Sequence, residues 1–262
     1  VADNEFKYYG LDNPTKWTKL ISKKISELPV YKDMTYKFNE LGYRSDPFIK
    51  SDKKNFLFIG CSFSFGQGLP LDYLYTKKVA DHFDAEHWNL SIPGNNIESI
   101  LLSLKSFYNS GYKADKVILQ LPYWERQVYV GEDEFIHWTP QNIASAKNNM
   151  HNHWLLSTNE NMYKWNWWLV ANAIKGVLLE NNADYVNIII KSKYKEVFND
   201  GFDMDQVWRQ VPKDTPKIDL WARDGVHPGK VPHDMFAKAL IDHLEGKKPA
   251  DPVLDILQNP LF

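Results

Sequence analysis

Cysteine occurs once in the chain, at Cys61, so no intrachain disulfide can form, and a lone thiol says little about compartment. Net charge is nearly absent as well. Against 31 lysines and arginines stand 33 aspartates and glutamates, a formal −2 that gives no electrostatic reason to expect nucleic acid or an anionic membrane as partner. No apolar run reaches the roughly 18 residues of a membrane-spanning helix. The opening VADNEFKYYG lacks the basic-then-apolar order of a signal peptide, so a cytoplasmic location is expected, with processing ahead of Val1 left open. Repeats and low-complexity linkers are missing. His151 and His153 form an H-x-H pair, but no third ligand follows at a recognisable spacing. They read as a solvated or hydrogen-bonded pair, and neither metal nor cofactor is expected. Nothing specifies an oligomeric state. What the chain does have is apolar bulk: 44% hydrophobic residues and 15% aromatics, ten of them tryptophan, over 262 residues. That suffices for a sizeable core and fits one large domain spanning 1–262 better than two small ones.

Apolar runs alternate with helical patterns along most of the chain. NFLFIG (55–60), HWNLSI (87–92), KVILQL (116–121) and YVNIII (185–190) read as buried strands. Helices are expected over about 71–83, over 97–108 with Asn95 or Asn96 as cap, and over about 233–244. Strand, helix, strand, helix, strand is the doubly wound α/β pattern, whose sites lie at the carboxyl ends of the strands. Ser62, Gly94 and Pro122 each stand at such an end. Two regions fall outside the pattern. Residues 13–28 read as a helix capped by Asn13 with Pro14 in its first turn, within an N-terminal extension of about 1–50. Residues of about 123–182 are too many for an ordinary connection and read as an aromatic-rich insertion with some helix of its own.

A strand that hands over to a helix through small residues turns sharply, and a serine there can project its hydroxyl above the sheet edge. Serine alone is a poor nucleophile; it needs a base, and the base needs an orienting group. LWARDGVHPG supplies both, Asp224 and His227, three positions apart in a stretch punctuated by Gly225, Pro228 and Gly229. A bent backbone at that spacing can set the carboxylate on one imidazole nitrogen and leave the other to face a serine.

GCSFSFG (60–66), NLSIPGNN (89–96) and DGVHPG (224–229) stand in the order of three sequence blocks of the SGNH, or GDSL, hydrolases, which this chain resembles from about Asn55 to Leu244. The resemblance implies a serine esterase or related acyl hydrolase on a flavodoxin-like three-layer αβα sandwich with a central, mostly parallel sheet. Ser62 would be the nucleophile, His227 the base and Asp224 its orienter, with the backbone N–H groups of Ser62 and Gly94 in the oxyanion hole. Two departures matter. Cys61 stands where the family has aspartate. In the third block, QLPYWE (120–125) sets Pro122 against the family glycine and Trp124 against the asparagine that donates to the oxyanion. Asn96, then Asn95, then Arg126 are the expected substitutes for that donor, with Trp124 and Arg126 as candidate substrate contacts.

Rival readings accompany the main one. Ser64 and Cys61 compete for the nucleophile's role, although Cys61 should point away from Ser62. Arg44 reads as holding its loop before it reads as binding a substrate carboxylate. Helical spacing puts Trp165 and Trp168 on one face near Leu169 and Asn172, a stripe that suits core first and substrate contact second, with Trp167 beside it. The expected activity is release of acetyl or another short acyl group from a carbohydrate or small ester. The alternatives are acyl transfer by the same three residues, or glycan binding on a hydrolase fold that has lost its chemistry.

Overall fold

The computed structural model describes residues 5–15, 20–49, 51–130, 135–138, 160–190 and 202–247. In chain order the elements are β1 (Glu5–Phe6), α1 (Leu20–Ser26), α2 (Pro29–Lys32), β2 (Tyr36–Lys37), β3 (Lys54–Ile59), α3 (Ser62–Phe65), α4 (Tyr75–His82), β4 (Ala85–Asn89), α5 (Ile97–Asn109) and β5 (Lys116–Leu121). They continue with β6 (Gln127–Val130), β7 (Phe135–Trp138), α6 (Glu160–Glu180), β8 (Tyr185–Ile189), β9 (Phe202–Asp203), α7 (Met204–Arg209), α8 (Lys217–Leu220) and α9 (Lys230–Leu244).

Five strands form the central sheet in the order β4-β3-β5-β8-β9, every neighbouring pair parallel. The first four are the strands expected from the sequence, displaced by no more than three residues at an end. Their near-continuous apolar runs follow from burial on both faces: Leu57, Phe58, Ile59, Val117, Ile118 and Leu121 are all inaccessible or nearly so. The helices α4 and α9 pack together on one side and α5 and α6 on the other, which makes the three layers. With β3 between β4 and β5 and the order reversing there, the crevice at the carboxyl end of β3 is the topological switch point where open α/β sheets hold their ligands.

The local reasons are ordinary ones. The carboxamide oxygen of Asn96 accepts from the Ser99 N–H at 2.9 Å and so starts α5, which turns Ile97, Ile100, Leu104 and Phe107 inward. Asn13 behaves differently from expectation. Its side chain accepts from the N–H and hydroxyl of Thr15 and makes a turn, and within 13–28 the described helix is Leu20–Ser26. Leu28 is already extended ahead of Pro29, as the residue before a proline prefers. The helix found inside the 123–182 insertion, where some helix was expected, is α6, and it packs against α5 as the crossover from β5 to β8. Before it comes the antiparallel pair β6–β7. Its tryptophans also sort differently: Trp167 is fully buried and donates to the Pro122 carbonyl at 3.2 Å, whereas Trp165 and Trp168 stack on each other at the exposed face. His151 and His153 lie outside the described residues. No described helix is long and apolar enough to cross a membrane.

A second, smaller apolar cluster lies beneath the N-terminal extension, where Ile25, Tyr31, Met34 and Tyr36 meet Phe65, Leu69, Leu74 and Ala222. It joins the extension to the segments just after Ser62 and just before Asp224.

Candidate active site

Chain geometry around Ser62 is set by a residue in the neighbouring strand. A Cβ on Gly60 would lie 2.7 Å from the Gln120 side chain, so glycine lets β5 bring that carboxamide close. Its Oε1 accepts from the Cys61 N–H at 2.9 Å and from the Ser64 hydroxyl at 3.2 Å. Ser64 Oγ also lies 2.5 Å from the Tyr75 hydroxyl, and both Ser64 and Cys61 are buried within the fold. The Ser64 hydroxyl is thus engaged within the fold by Tyr75 and Gln120. Gly66 ends α3 at φ 73°, a conformation that side chains resist, and a Cβ there would strike Leu74. Gln120 escaped the sequence reading, although a glutamine inside the apolar run KVILQL was the available signal.

The loop before α9 supplies the other two residues. Its ends are tied by a bridge between Trp221 and Pro228 and by the Ala222 N–H, which donates to the His227 carbonyl at 2.9 Å. Within it, Asp224 Oδ1 accepts from the N–H groups of Val226 and His227 at 2.9 and 3.0 Å, while Oδ2 lies 2.5 Å from His227 Nδ1. His227 Nε2 stands 2.8 Å from Ser62 Oγ. The three residues, all under a tenth exposed, thus form one hydrogen-bonded chain. Burial by itself would raise the Asp224 carboxyl, but the His227 ring and the two backbone donors outweigh it and hold the group below the usual carboxylate range. An ionised carboxylate only accepts, so Nδ1 carries its proton toward Asp224, and Nε2 is left to accept from the Ser62 hydroxyl.

Two buried arginines fasten the N-terminal extension to these loops. Arg44 donates to the carbonyls of Phe65, Gly66 and Leu69 at 3.1, 2.7 and 2.7 Å and so holds the exit from α3. Burial pushes its guanidinium down to about 10, still charged at neutral pH. It holds structure, as its first reading had it, and is only 2% exposed. Arg223, adjacent to Asp224, pairs with Asp12 at 2.5 Å and donates to the Tyr31 and Met34 carbonyls. Tyr36 donates to the same Asp12 and accepts from the Gly68 N–H. A further tie runs from the Ser22 hydroxyl to the Asp224 carbonyl at 3.1 Å. None of the Asp12–Arg223 pairing was visible in the sequence.

Gly94 stands at the opposite flank of Ser62, in a turn closed by the Asn95 N–H donating to the Ile92 carbonyl at 3.1 Å. Its φ of 77° is the third-position requirement of a turn with proline second, and a Cβ there would meet nothing within 4 Å. The asparagines beside it are engaged: Asn95 Nδ2 donates to the Gly60 carbonyl at 3.1 Å, and the Asn96 oxygen caps α5. The Asn96 carboxamide, expected as the substitute donor, is oriented by its oxygen at the start of α5. Arg126 reaches across from the end of β5, its guanidinium over the Tyr123 ring at 5.1 Å and donating to the Asn95 carbonyl at 3.2 Å. Trp124 corrects an expectation. It is 1% exposed, packed in the main core with the Lys164 ammonium over its ring, and offers a substrate no surface.

No protein-family model and no curated protein matches this sequence. Solved structures do. An acetyl xylan esterase, Est2A, from the rumen bacterium Butyrivibrio proteoclasticus is similar over 76% of this chain and 65% of its own, at 14% identity and a TM-score of 0.50. A psychrotrophic esterase, EstA, from Pseudoalteromonas sp. is similar over 74% of this chain and 98% of its own, at 17% identity and a TM-score of 0.46. A member of the lipolytic G-D-S-L family from Veillonella parvula gives 72% and 97%, at 9% identity and a TM-score of 0.45. At these identities the likeness is one of fold. The chain has an α/β fold, a five-stranded parallel sheet between helical layers, like that of the acetyl xylan esterase.

Proposed function

We propose that this protein hydrolyses carboxylic esters through Ser62, His227 and Asp224. The observation that carries the reading is the continuous chain from Ser62 Oγ through the imidazole to a carboxylate held ionised, at 2.8 and 2.5 Å. As Ser62 Oγ bonds to the ester carbonyl carbon, its proton passes to Nε2, and the imidazolium is stabilised by Asp224 behind it. Collapse of the tetrahedral species breaks the bond to the alcohol oxygen, which takes the proton from Nε2 and departs. Water then repeats the sequence on the acyl-serine and releases the acid.

Negative charge develops on the former carbonyl oxygen. The Ser62 N–H sits in the first turn of α3, where no intrahelical acceptor exists, and the Gly94 N–H stands on the open turn beside it. Both would donate to that oxygen. Arg126, at the same turn, takes the place of the missing asparagine in this reading, and a cation is worth more than an amide to an anion in a dry site. The acyl group is acetyl or similarly short, and the ester that of a small alcohol, with a carbohydrate as the alternative that the acetyl xylan esterase of similar fold suggests.

Reaction with a fluorophosphonate probe tests the assignment. Stoichiometric labelling at Ser62, absent from Ser62→Ala, together with turnover of p-nitrophenyl acetate by the native protein alone, is the expected result. Turnover undiminished in Ser62→Ala would remove the nucleophile from the scheme, and no labelling or turnover at all would favour a binding protein instead.

A further inference from the structure

A cavity of about 180 Å³ opens against the loop that carries His227, with Phe63, Tyr123, Trp208, Trp221, Val226 and Pro228 in its wall. Phe63 directly follows Ser62 and stands edge-on to the His227 ring at 6.0 Å, and Val226 and Pro228 are the residues on either side of His227. Deeper in the cavity lie Ile190, Met204 and Phe236. Its one carboxylate, Asp205, pairs with Arg209 at 3.0 Å, so the cavity carries no uncompensated charge.

From this cavity we infer the class of alcohol that the ester carries: an apolar one, aryl or compact alkyl, of about six carbon atoms. The inference rests on the hydrolase reading above and narrows it. The first ground is position. The sheet order sets Gly94, beyond β4, on one flank of Ser62, whereas Ile190 and Met204, beyond β8 and β9, lie on the other. A substituent in the cavity therefore points away from the oxyanion side. Of the two substituents left on the reacting carbon, only the alcohol oxygen must come within reach of Nε2 to receive its proton, and the cavity wall holds Phe63, whose ring stands at the His227 ring, and the residues before and after His227 in the chain. The second ground is chemistry. Apart from the Tyr123 hydroxyl, which burial pushes up to about 12, the indole N–H groups of Trp208 and Trp221 and the paired Asp205, the named walls are hydrocarbon, aromatic or thioether. A sugar carries more hydroxyls than these few donors and acceptors can meet, and each one buried unmet counts against binding. The third ground is size, since an apolar cavity of about 150 Å³ is enough to take up benzene.

The test separates binding from turnover. Ser62→Ala protein is titrated with benzyl alcohol and, in parallel, with methyl xyloside, by calorimetry. Saturable binding of benzyl alcohol, weakened about tenfold or more when the exposed Val226 at the mouth is changed to tryptophan, is expected, with no heat from the sugar. In protein with Ser62 intact, kcat/KM for benzyl acetate should exceed that for methyl acetate by about tenfold or more, and Val226→Trp should collapse that ratio. Trp208→Ala, which widens the cavity, should move the preference to bulkier alcohols. Benzyl alcohol that fails to saturate, binding of the sugar instead, or selectivity that tracks acyl length at constant alcohol would each overturn the inference while leaving Ser62 labelling intact. Benzyl alcohol bound normally by a protein whose Ser62 never labels would sink the leaving-group assignment together with the hydrolase reading.

Discussion

The two flanks of Ser62 are built by different rules. On the flank that handles the proton, each atom has a fixed partner: the hydroxyl on Nε2, Nδ1 on one carboxylate oxygen, and two backbone donors on the other. On the Gly94 flank the arrangement is improvised. Arg126, just beyond β5, donates to the Asn95 carbonyl and serves in the proposed scheme for the asparagine of the resembled family, while the nearby asparagines hold backbone together. Proton transfer demands a donor and an acceptor in line at one distance, which few residue types satisfy. Stabilising a developing charge demands only positive potential at a point, which a backbone amide, a carboxamide or a guanidinium can all supply. One flank is consequently spelled in a short motif and the other is not.

The largest effect should come from breaking the constrained flank. Changing His227 to alanine is expected to lower kcat on p-nitrophenyl acetate by on the order of 10⁴–10⁶-fold, with the circular dichroism spectrum preserved. Behind that flank, Asp12→Ala leaves Arg223 charged and buried without its carboxylate, and should cost about 3–5 kcal/mol in denaturant unfolding. On the permissive flank, Arg126→Ala is expected to lower kcat by about 10²–10³-fold, and Arg126→Lys by less, because any cation at that turn serves. Equal losses in the two variants would place Arg126 among the constrained residues and erase the contrast between the flanks.

Per group and per pH unit, the smallest effect concerns acid. His87 and His233 are held down to about 3, chiefly by burial, with nearby cations adding to it. An unfolded chain has ordinary histidines near 6.5, so it takes up protons first as pH falls. Stability is therefore complete above about pH 6.5 and declines toward pH 3 by roughly 1.4 kcal/mol per pH unit for each histidine. Asp224, held low, adds acid sensitivity only below the ordinary carboxylate range. Denaturant midpoints at pH 7.5, 6 and 5 check this; His87→Gln should halve the slope, and an unchanged slope would assign the effect elsewhere.

Legibility followed locality. The strands KVILQL and YVNIII and the helix capped by Asn96 were readable because burial on a regular element leaves a period or a run in the sequence. Ser62, Asp224 and His227 were readable as a pattern because two of them share one loop. Trp124 was misread because its position in the third block suggested the rim, whereas its bulk fills the core. The two-residue strand β9 is too short to leave a signature, and its place beside β8 comes from pairing alone. Gln120 and Asp12 act across 59 and 211 positions respectively, and no local pattern encodes partners so far away.

That last span has a consequence for how the protein comes into being. During synthesis Ser62 is made long before the segment carrying its base, and that segment is held by a pairing that needs residue 223 to return to residue 12. Contacts of such long range close late, because the loop entropy is spent before any reward arrives. A growing polypeptide would thus display an inert serine, and reactivity would switch on only once the late-made segment folds back against the first.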